Sequence, residues 1–406
     1  MAMNTMTISQ ASTLLNAVVK QATGQTAQAT INDAADLVSV AQTALLTGYD
    51  PIFNAVSQVW SRTIFSARPY TTKFNDLEMS LGAYGNAIRK LSAVSGLMLD
   101  DDQYKWPVAY DATGHSDNPL GNGQSVDPYT IAKQEVLQTN FYGVAVYQQD
   151  YTIFRHQLKT AFSDAAEFAS FNQLNMMERS NDREQFREQV GRVLQLNLIG
   201  ALIDEAQETR VVKLLTEYND LTGLTLTAQD VYKPENFPAF IRWMYSRVNT
   251  IAKMMGERSQ QYQTIINNKP VLRHTPIQNL RVALGTSFYE QVKSMAIPDT
   301  YNPQDLSLPQ FKPVNYWQSI DKPTEINMKP TYTDSAGAVK TASEAVKKAN
   351  VVGVMHDENA IGYSIADSWA APSPFNQKGG YWNESYHEEY KTISDSTEKA
   401  VVLLLE

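Results

Sequence analysis

Apolar residues recur along this chain with changing spacing, and each change marks a new element. Over residues 1–66, Ala, Thr, Gln, Asn and Ser dominate, broken by short apolar clusters such as Leu14-Leu15 and Leu45-Leu46. Between Tyr49 and Phe65, Phe53, Val56, Val59-Trp60 and Ile64 fall three or four residues apart, which predicts a short amphipathic helix. The segment reads as an N-terminal arm that gains order by packing on something else. Residues 67–160 change character. Strand-like pieces, Pro69–Phe74 and Gln138–Gln148, flank the Gly-, Asp- and Pro-rich DATGHSDNPLGNGQSVDPY of residues 111–129. The pattern predicts an extended two-stranded arm with a decorated tip.

Helical spacing takes over across residues 163–219. Ser163 or Asp164 can cap one helix, with Glu167 in its first turn, and Asp182 can cap a longer one. Phe186, Val190, Val193-Leu194, Leu198, Leu202 and Ala206 keep one face apolar. The opposite face carries Glu184, Arg187, Glu188 and Arg192 at pairing distances, which reads as a solvated or subunit-contact face rather than a basic nucleic-acid patch. A further helix starts near Pro234, with Phe237, Ile241, Met244, Val248, Ile251-Ala252 and Met255 as its stripe. Gln263–Asn267 predicts a short strand, Ile277–Leu284 a helix and Ser287–Met295 an amphipathic piece. The prolines between residues 298 and 335 predict extended chain or loop.

Near the C-terminus, the apolar run Val351–Met355 stops at His356-Asp357-Glu358-Asn359 and resumes at Ala360-Ile361. Asp and Asn tolerate turn dihedrals and bond their own backbone, so this reads as a polar turn between two buried segments. Glu384–Ile393, the turn Ser394–Lys399 and Ala400–Leu405 predict an antiparallel hairpin. Its near-continuous VVLLL fits a strand covered on both faces.

Composition narrows the function classes. Across 406 residues, 43% are hydrophobic, enough for a real core, and the net charge of −9 argues against a protein built to neutralise phosphates. Cysteine is absent, which removes disulfides and thiolate chemistry together. No stretch approaches the ~18–20 apolar residues of a membrane span. The N-terminus lacks the pattern of a signal peptide, so the chain is expected to be soluble where it is made.

Candidate chemistry is sparse. No metal-protease, nucleophile-elbow, phosphate-loop or dinucleotide-binding pattern occurs. The histidines at 115, 156, 274, 356 and 387 are scattered, and in the strand-like His387-Glu388-Glu389 the carboxylates point to opposite faces. The expectation is no catalytic, cofactor-binding or metal residue and no enzyme. Rival readings would use His356 or His387 with nearby acids, or a glycan site among Trp369, Tyr381 and Trp382. Phe141, Tyr142 and Tyr147, at the base of the excursion, either anchor a neighbouring subunit or pack on their own helix.

The phrase MHDENAIGYS (355–364) resembles a segment near the end of tailed-phage major capsid proteins. The element order is also similar. RPYTTKFNDLEMSLGAYGNAIRKL (68–91), HQLKTAFSDAAEFASFNQ (156–173) and GGYWNESYHEEY (379–390) are most similar to capsid proteins of short-tailed phages of the phi-29 type. The resemblance implies an α+β fold, named after phage Hong Kong 97. It has an N-terminal arm (1–66), an extended β-hairpin loop (67–160), a peripheral domain with a spine helix (161–225), an axial domain (226–350) and return strands (351–406). It also implies a virion structural protein, assembled in the bacterial cytoplasm as hexamers and pentamers. The icosahedral head would enclose double-stranded DNA held weakly and non-specifically. Portal, scaffolding and head-decoration proteins are the implied partners, with no cofactor and no membrane. Some relatives cross-link a lysine to an asparagine, and no matching motif occurs here. A shift of the shell as DNA enters would place hinges at Gly82–Gly85 and Gly143. An encapsulin-like nanocompartment of the same fold and a tail or fibre binding module are the alternatives.

Overall fold

The computed structural model describes residues 70–80, 87–94, 129, 134–142, 144–157, 165–269, 271–290 and 311–406. The arm at 1–66 with its helix at 49–65, the caps Ser163 and Asp164, the glycines at 82–85 and 143, and nearly all of the tip at 111–129 lie outside them.

The strongest ordering force is a run of apolar residues buried on both sides. β4 (Val211–Lys213), β5 (Leu280–Gly285), β6 (Phe311–Val314), β11 (Val351–Asp357) and β14 (Ala400–Leu404) form one sheet in the order β4-β14-β11-β5-β6. Its central pairs, β14–β11 and β11–β5, are antiparallel, and its outer pairs, β14–β4 and β5–β6, are parallel. Successive side chains alternate between two cores. Met355, Val401, Leu403, Val282 and Leu284 join one with the stripe of α4 (Phe237–Gly256). Val354, Val402, Leu404 and Ala283 join the other with Leu198, Ile199 and Leu202 of α1 (Ala165–Glu205). Period-two alternation makes both faces apolar. Each fully buried Val or Leu contributes roughly 1.5–3 kcal/mol. At Gly353 a Cβ would sit 2.6 Å from the Ala283 carbonyl oxygen, so only glycine lets β5 approach there.

β3 (Val144–Phe154), β12 (Ile361–Pro372) and β13 (Tyr381–Ser394) form a separate antiparallel sheet in the order β12-β13-β3, and α1 packs on it. The chain passes between the two sheets once through α1, from β3 to β4, and twice by short crossings, 358–360 and 395–399. β1 (Ile88–Ala93) and β2 (Val136–Phe141) make a detached ladder running from Ile88–Phe141 to Ala93–Val136. Around this frame stand α2 (Leu214–Thr222), closed by Gly223 at φ 70°, and the capped turn α3 (Ala228–Val231). Two small pairs, β7 (Ile326–Met328) with β10 (Val346–Lys348) and β8 (Thr331–Thr333) with β9 (Val339–Thr341), complete it.

Several sequence expectations are corrected. β13 and β14 are neighbours in sequence but not a hairpin, because each finds its partners in a different sheet. Ile277–Leu284 is not a helix: its apolar half is the buried strand β5, and a short apolar run cannot distinguish the two by periodicity. Gln263–Asn267 forms no strand; the chain turns there, with positive φ at Tyr262, Asn267 and Asn268. The first arm strand is Ile88–Ala93. Of Pro69–Phe74, the described residues hold no strand and lead into a 3-10 turn at Asn75–Leu77. Phe74 is instead buried against α1, where a Cβ on Gly191 would lie 2.6 Å from its own Cβ. Asp182 caps nothing, because α1 runs through it without a break. His356 and Asp357 belong to the buried end of β11, and the turn is confined to 358–360. The proline-rich stretch is, where described, short strands and loops.

Candidate assembly surface

The helix α1 is tied to its surroundings by charge. Arg179 pairs with Glu384 of β13 at 2.7 Å and lies 3.9 Å over the Tyr151 ring of β3. Arg187 bridges Glu184, at 2.6 Å, and Glu388, at 3.2 Å. Glu188 pairs with Arg192 at 2.7 Å and accepts the Tyr70 hydroxyl. Thr72 N–H donates to Glu184 at 3.1 Å, and Tyr70 N–H to Asn181 at 2.9 Å. The face expected to be solvated or to touch other subunits is therefore largely an internal contact, with Glu188 and Arg192 both buried. The hydrogen bond to Glu188, aided by burial, pushes the Tyr70 hydroxyl up to about 12. Burial alone would raise the Glu188 carboxyl, but hydrogen bonds from Tyr70 and Arg192 outweigh it and hold it low.

A second polar centre is the crossing 395–399, almost wholly buried despite its sequence Asp-Ser-Thr-Glu-Lys. Arg210, fully buried, donates to the carbonyls of Ser396, Glu398 and Ala400 at 2.7, 3.1 and 3.3 Å and to Glu205 at 2.8 Å. Lys399 donates to the carbonyls of Met255 and Glu257 at 3.1 and 2.7 Å. These bonds satisfy backbone carbonyls around the crossing, where an acceptor without a partner is costly; the Met255 carbonyl also accepts the Thr275 N–H at 2.8 Å. Burial lowers Arg210 to about 10 and Lys399 to about 8, in both cases against nearby acids.

The β1–β2 ladder has no such interior. None of its side chains is buried: exposure alternates between half and full along both strands. Leu91 and Val136 are 60% and 58% exposed, and Tyr142 just beyond is 77% exposed. A lone two-stranded ladder is marginal in water. Between β2 and the β8–β9 pair lies an open cleft of about 690 Å³, floored by Asn197 and Ile266. Among the described residues the arm thus exposes apolar side chains and pairs with no third strand. Of the three proposed anchors, Tyr147 packs on its own chain, with ring centroids 4.5 Å from Phe186 and 5.6 Å from Tyr390. Tyr142 remains exposed.

The rival chemical sites do not assemble. His356 is buried within β11, its Nδ1 2.8 Å from the Asp357 carbonyl, and burial lowers it to about 4. His387 stacks on Trp369 at 5.0 Å, Trp382 packs on Phe375 and Tyr381 on Phe154, so the aromatics form separate pairs rather than one platform. Among the described residues no cluster of three His, Asp or Glu could hold a metal ion, and no helix is long and apolar enough to cross a membrane. Sequence reasoning missed the burial of the crossing 395–399. The available signal was a fully polar string between two strand-like runs.

No protein-family model and no curated protein matches the chain. Solved structures do. One is the structure described as head fiber and inner core protein gp22 of native bacteriophage P68, at 10% identity, covering 85% of this chain and 87% of that chain with a TM-score of 0.50. Another is the capsid structure of Staphylococcus phage Andhra, at 10% identity, with coverage of 85% and 87% and a TM-score of 0.49. The likeness to the P68 chain shows the fold, the α+β architecture of the Hong Kong 97 type, and at that identity the fold alone.

Proposed function

We propose that this chain is the major capsid protein of a tailed bacteriophage. Copies of it close as hexamers and pentamers into an icosahedral head around double-stranded DNA. The observation that carries the reading is the arm: a strand ladder with no buried side chain and with exposed Leu91 and Val136 makes physical sense when a neighbour covers it. The shared fold supports the same reading. Its role is structural and needs no catalytic residue. Residues 1–66 act as the N-terminal arm, 67–160 as the extended loop, 161–225 as the peripheral domain with its spine helix, 226–350 as the axial domain and 351–406 as the return strands.

With a net charge of −9, the wall contains DNA rather than gripping it, and subunits hold one another by apolar contact and arm exchange. Portal, scaffolding and decoration proteins are the further partners, short-tailed phages of the phi-29 type a similar group, and the virion the destination. The shell assembles loosely and then shifts, with hinges at Gly82–Gly85 and Gly143. Proline at Gly143 is expected to block expansion but not first assembly.

Sedimentation velocity on the purified chain, with negative-stain electron microscopy of the fast fraction, tests the reading. Closed shells or ring-shaped capsomers are expected. A lasting monomer, also after co-expression with a scaffolding protein, would overturn it.

A further inference from the structure

The described arm is joined to the body at one point rich in charge. Lys90, in the middle of β1, reaches the buried crossing between the two sheets. Its Nζ lies 2.7 Å from Asp395 and 2.5 Å from Glu398, and 3.4 Å from the Asn359 carbonyl oxygen. Arg273 completes the cluster from the other side, 3.5 Å from Glu398, bonded to Thr397 and 3.5 Å from the Ser92 hydroxyl of β1. The acceptors are rigid: Asp395 is 1% exposed, and its second oxygen accepts the Thr397 N–H and hydroxyl at 2.9 and 2.6 Å. An exposed pair, Lys269–Glu135 at 2.6 Å, is the arm's other ionic contact among the described residues.

We infer that Lys90, Asp395, Glu398 and Arg273 form an ionic latch that holds the arm against its own body in the unassembled chain and releases it without unfolding either part. The division of labour supports this. On the body side, the carboxylates sit in a crossing that Arg210 and Lys399 stabilise independently. On the arm side, Lys90 stands on a ladder with no buried side chain, so among the described residues no apolar core resists its departure. A partly exposed ion pair of this kind is screened by salt, whereas apolar packing is not. The body's own fold then survives a change of arm angle, which an arm welded on by apolar packing would not allow.

Hydrogen–deuterium exchange on the full-length, unassembled chain tests the latch. Peptides covering 88–93 and 136–141 are followed beside those covering 351–357 and 400–404. Lys90→Met is expected to speed exchange of the arm peptides about tenfold or more, the equivalent of ~1.4 kcal/mol, and to leave the body peptides unchanged. Lys90→Arg restores the original rate, and raising salt to about 1 M speeds the wild-type arm in the same direction. Equal arm exchange in wild type and Lys90→Met would overturn the latch. So would a parallel rise in the body peptides, which would make Lys90 part of the body's fold. The readout needs no particle, so it stands or falls separately from the capsid reading.

Discussion

The five-stranded sheet and the arm ladder are built from the same backbone bonds and differ in what covers them. β11 and β14 bury every side chain, and β1 and β2 bury none. In the sheet, hydrogen bonds and apolar burial reinforce each other within one chain. In the arm, the bonds stand almost alone, with no side chain of β1 or β2 buried. The difference teaches where this protein keeps its own stability, and under the proposed reading a neighbouring copy supplies the cover that the arm lacks.

The largest expected effect breaks the sheet. Val402 is fully buried in β14 between β11 and β4, and Val402→Asp places an unpaired charge there. The expected loss exceeds about 4 kcal/mol, read as loss of soluble folded protein by circular dichroism. Next comes the crossing beside it. Arg210→Met removes its bonds to the carbonyls of Ser396, Glu398 and Ala400 and leaves the Glu205 carboxylate with the neutral donors Gln207 and Thr264 but no cation, for about 3–5 kcal/mol in a denaturant titration.

A pH titration reads the same sheet from within. Burial holds His356 at about 4, against 6.5 for a free histidine, with Asp357 raising it and Arg281 and Lys312 lowering it. The unfolded chain therefore takes up the proton first. His356's contribution is full above about pH 6.5, and it is lost as pH falls towards 4, by on the order of 3 kcal/mol. His356→Gln should flatten that slope in pH-dependent melts, and an unchanged slope would assign it to other groups.

The smallest effect on the monomer sharpens the comparison most. Leu91→Ser and Val136→Ser, both at exposed positions of the arm, should change melting by less than about 0.5 kcal/mol. Yet they should cut the yield of sedimenting particles. If both measurements stay flat, the arm is not a covered surface in the assembly.

Legibility followed the same division. The stripe of α4 from Phe237 to Met255 and the doubly covered VVLLL were readable because periodicity reports burial directly. The charge pairs of α1 were readable by spacing, but their destination was not. Nothing in Glu184–Arg192 says that Tyr70 and Thr72 come back to donate to Glu188 and Glu184. β5 was misread as a helix, since a short apolar run between Pro276 and Gly285 has no period to judge by. The pairing of β13 and β14 was misassigned because sequence proximity favours a hairpin, and only the presence of two sheets separates them. The anchor at Lys90 was invisible, resting on a contact between residues far apart in sequence.

The two crossings have a mechanical meaning. The segments 358–360 and 395–399 run side by side, joined by the Asp395 N–H to Ala360 carbonyl bond at 2.6 Å. A force that pulls the two sheets apart therefore cannot unzip a hydrogen-bonded seam one rung at a time. It loads two lengths of covalent backbone at once, each anchored in a strand that must be dragged lengthwise from its sheet. A wall made of such units would carry outward tension as a strapped plate does, through its ties rather than its adhesive.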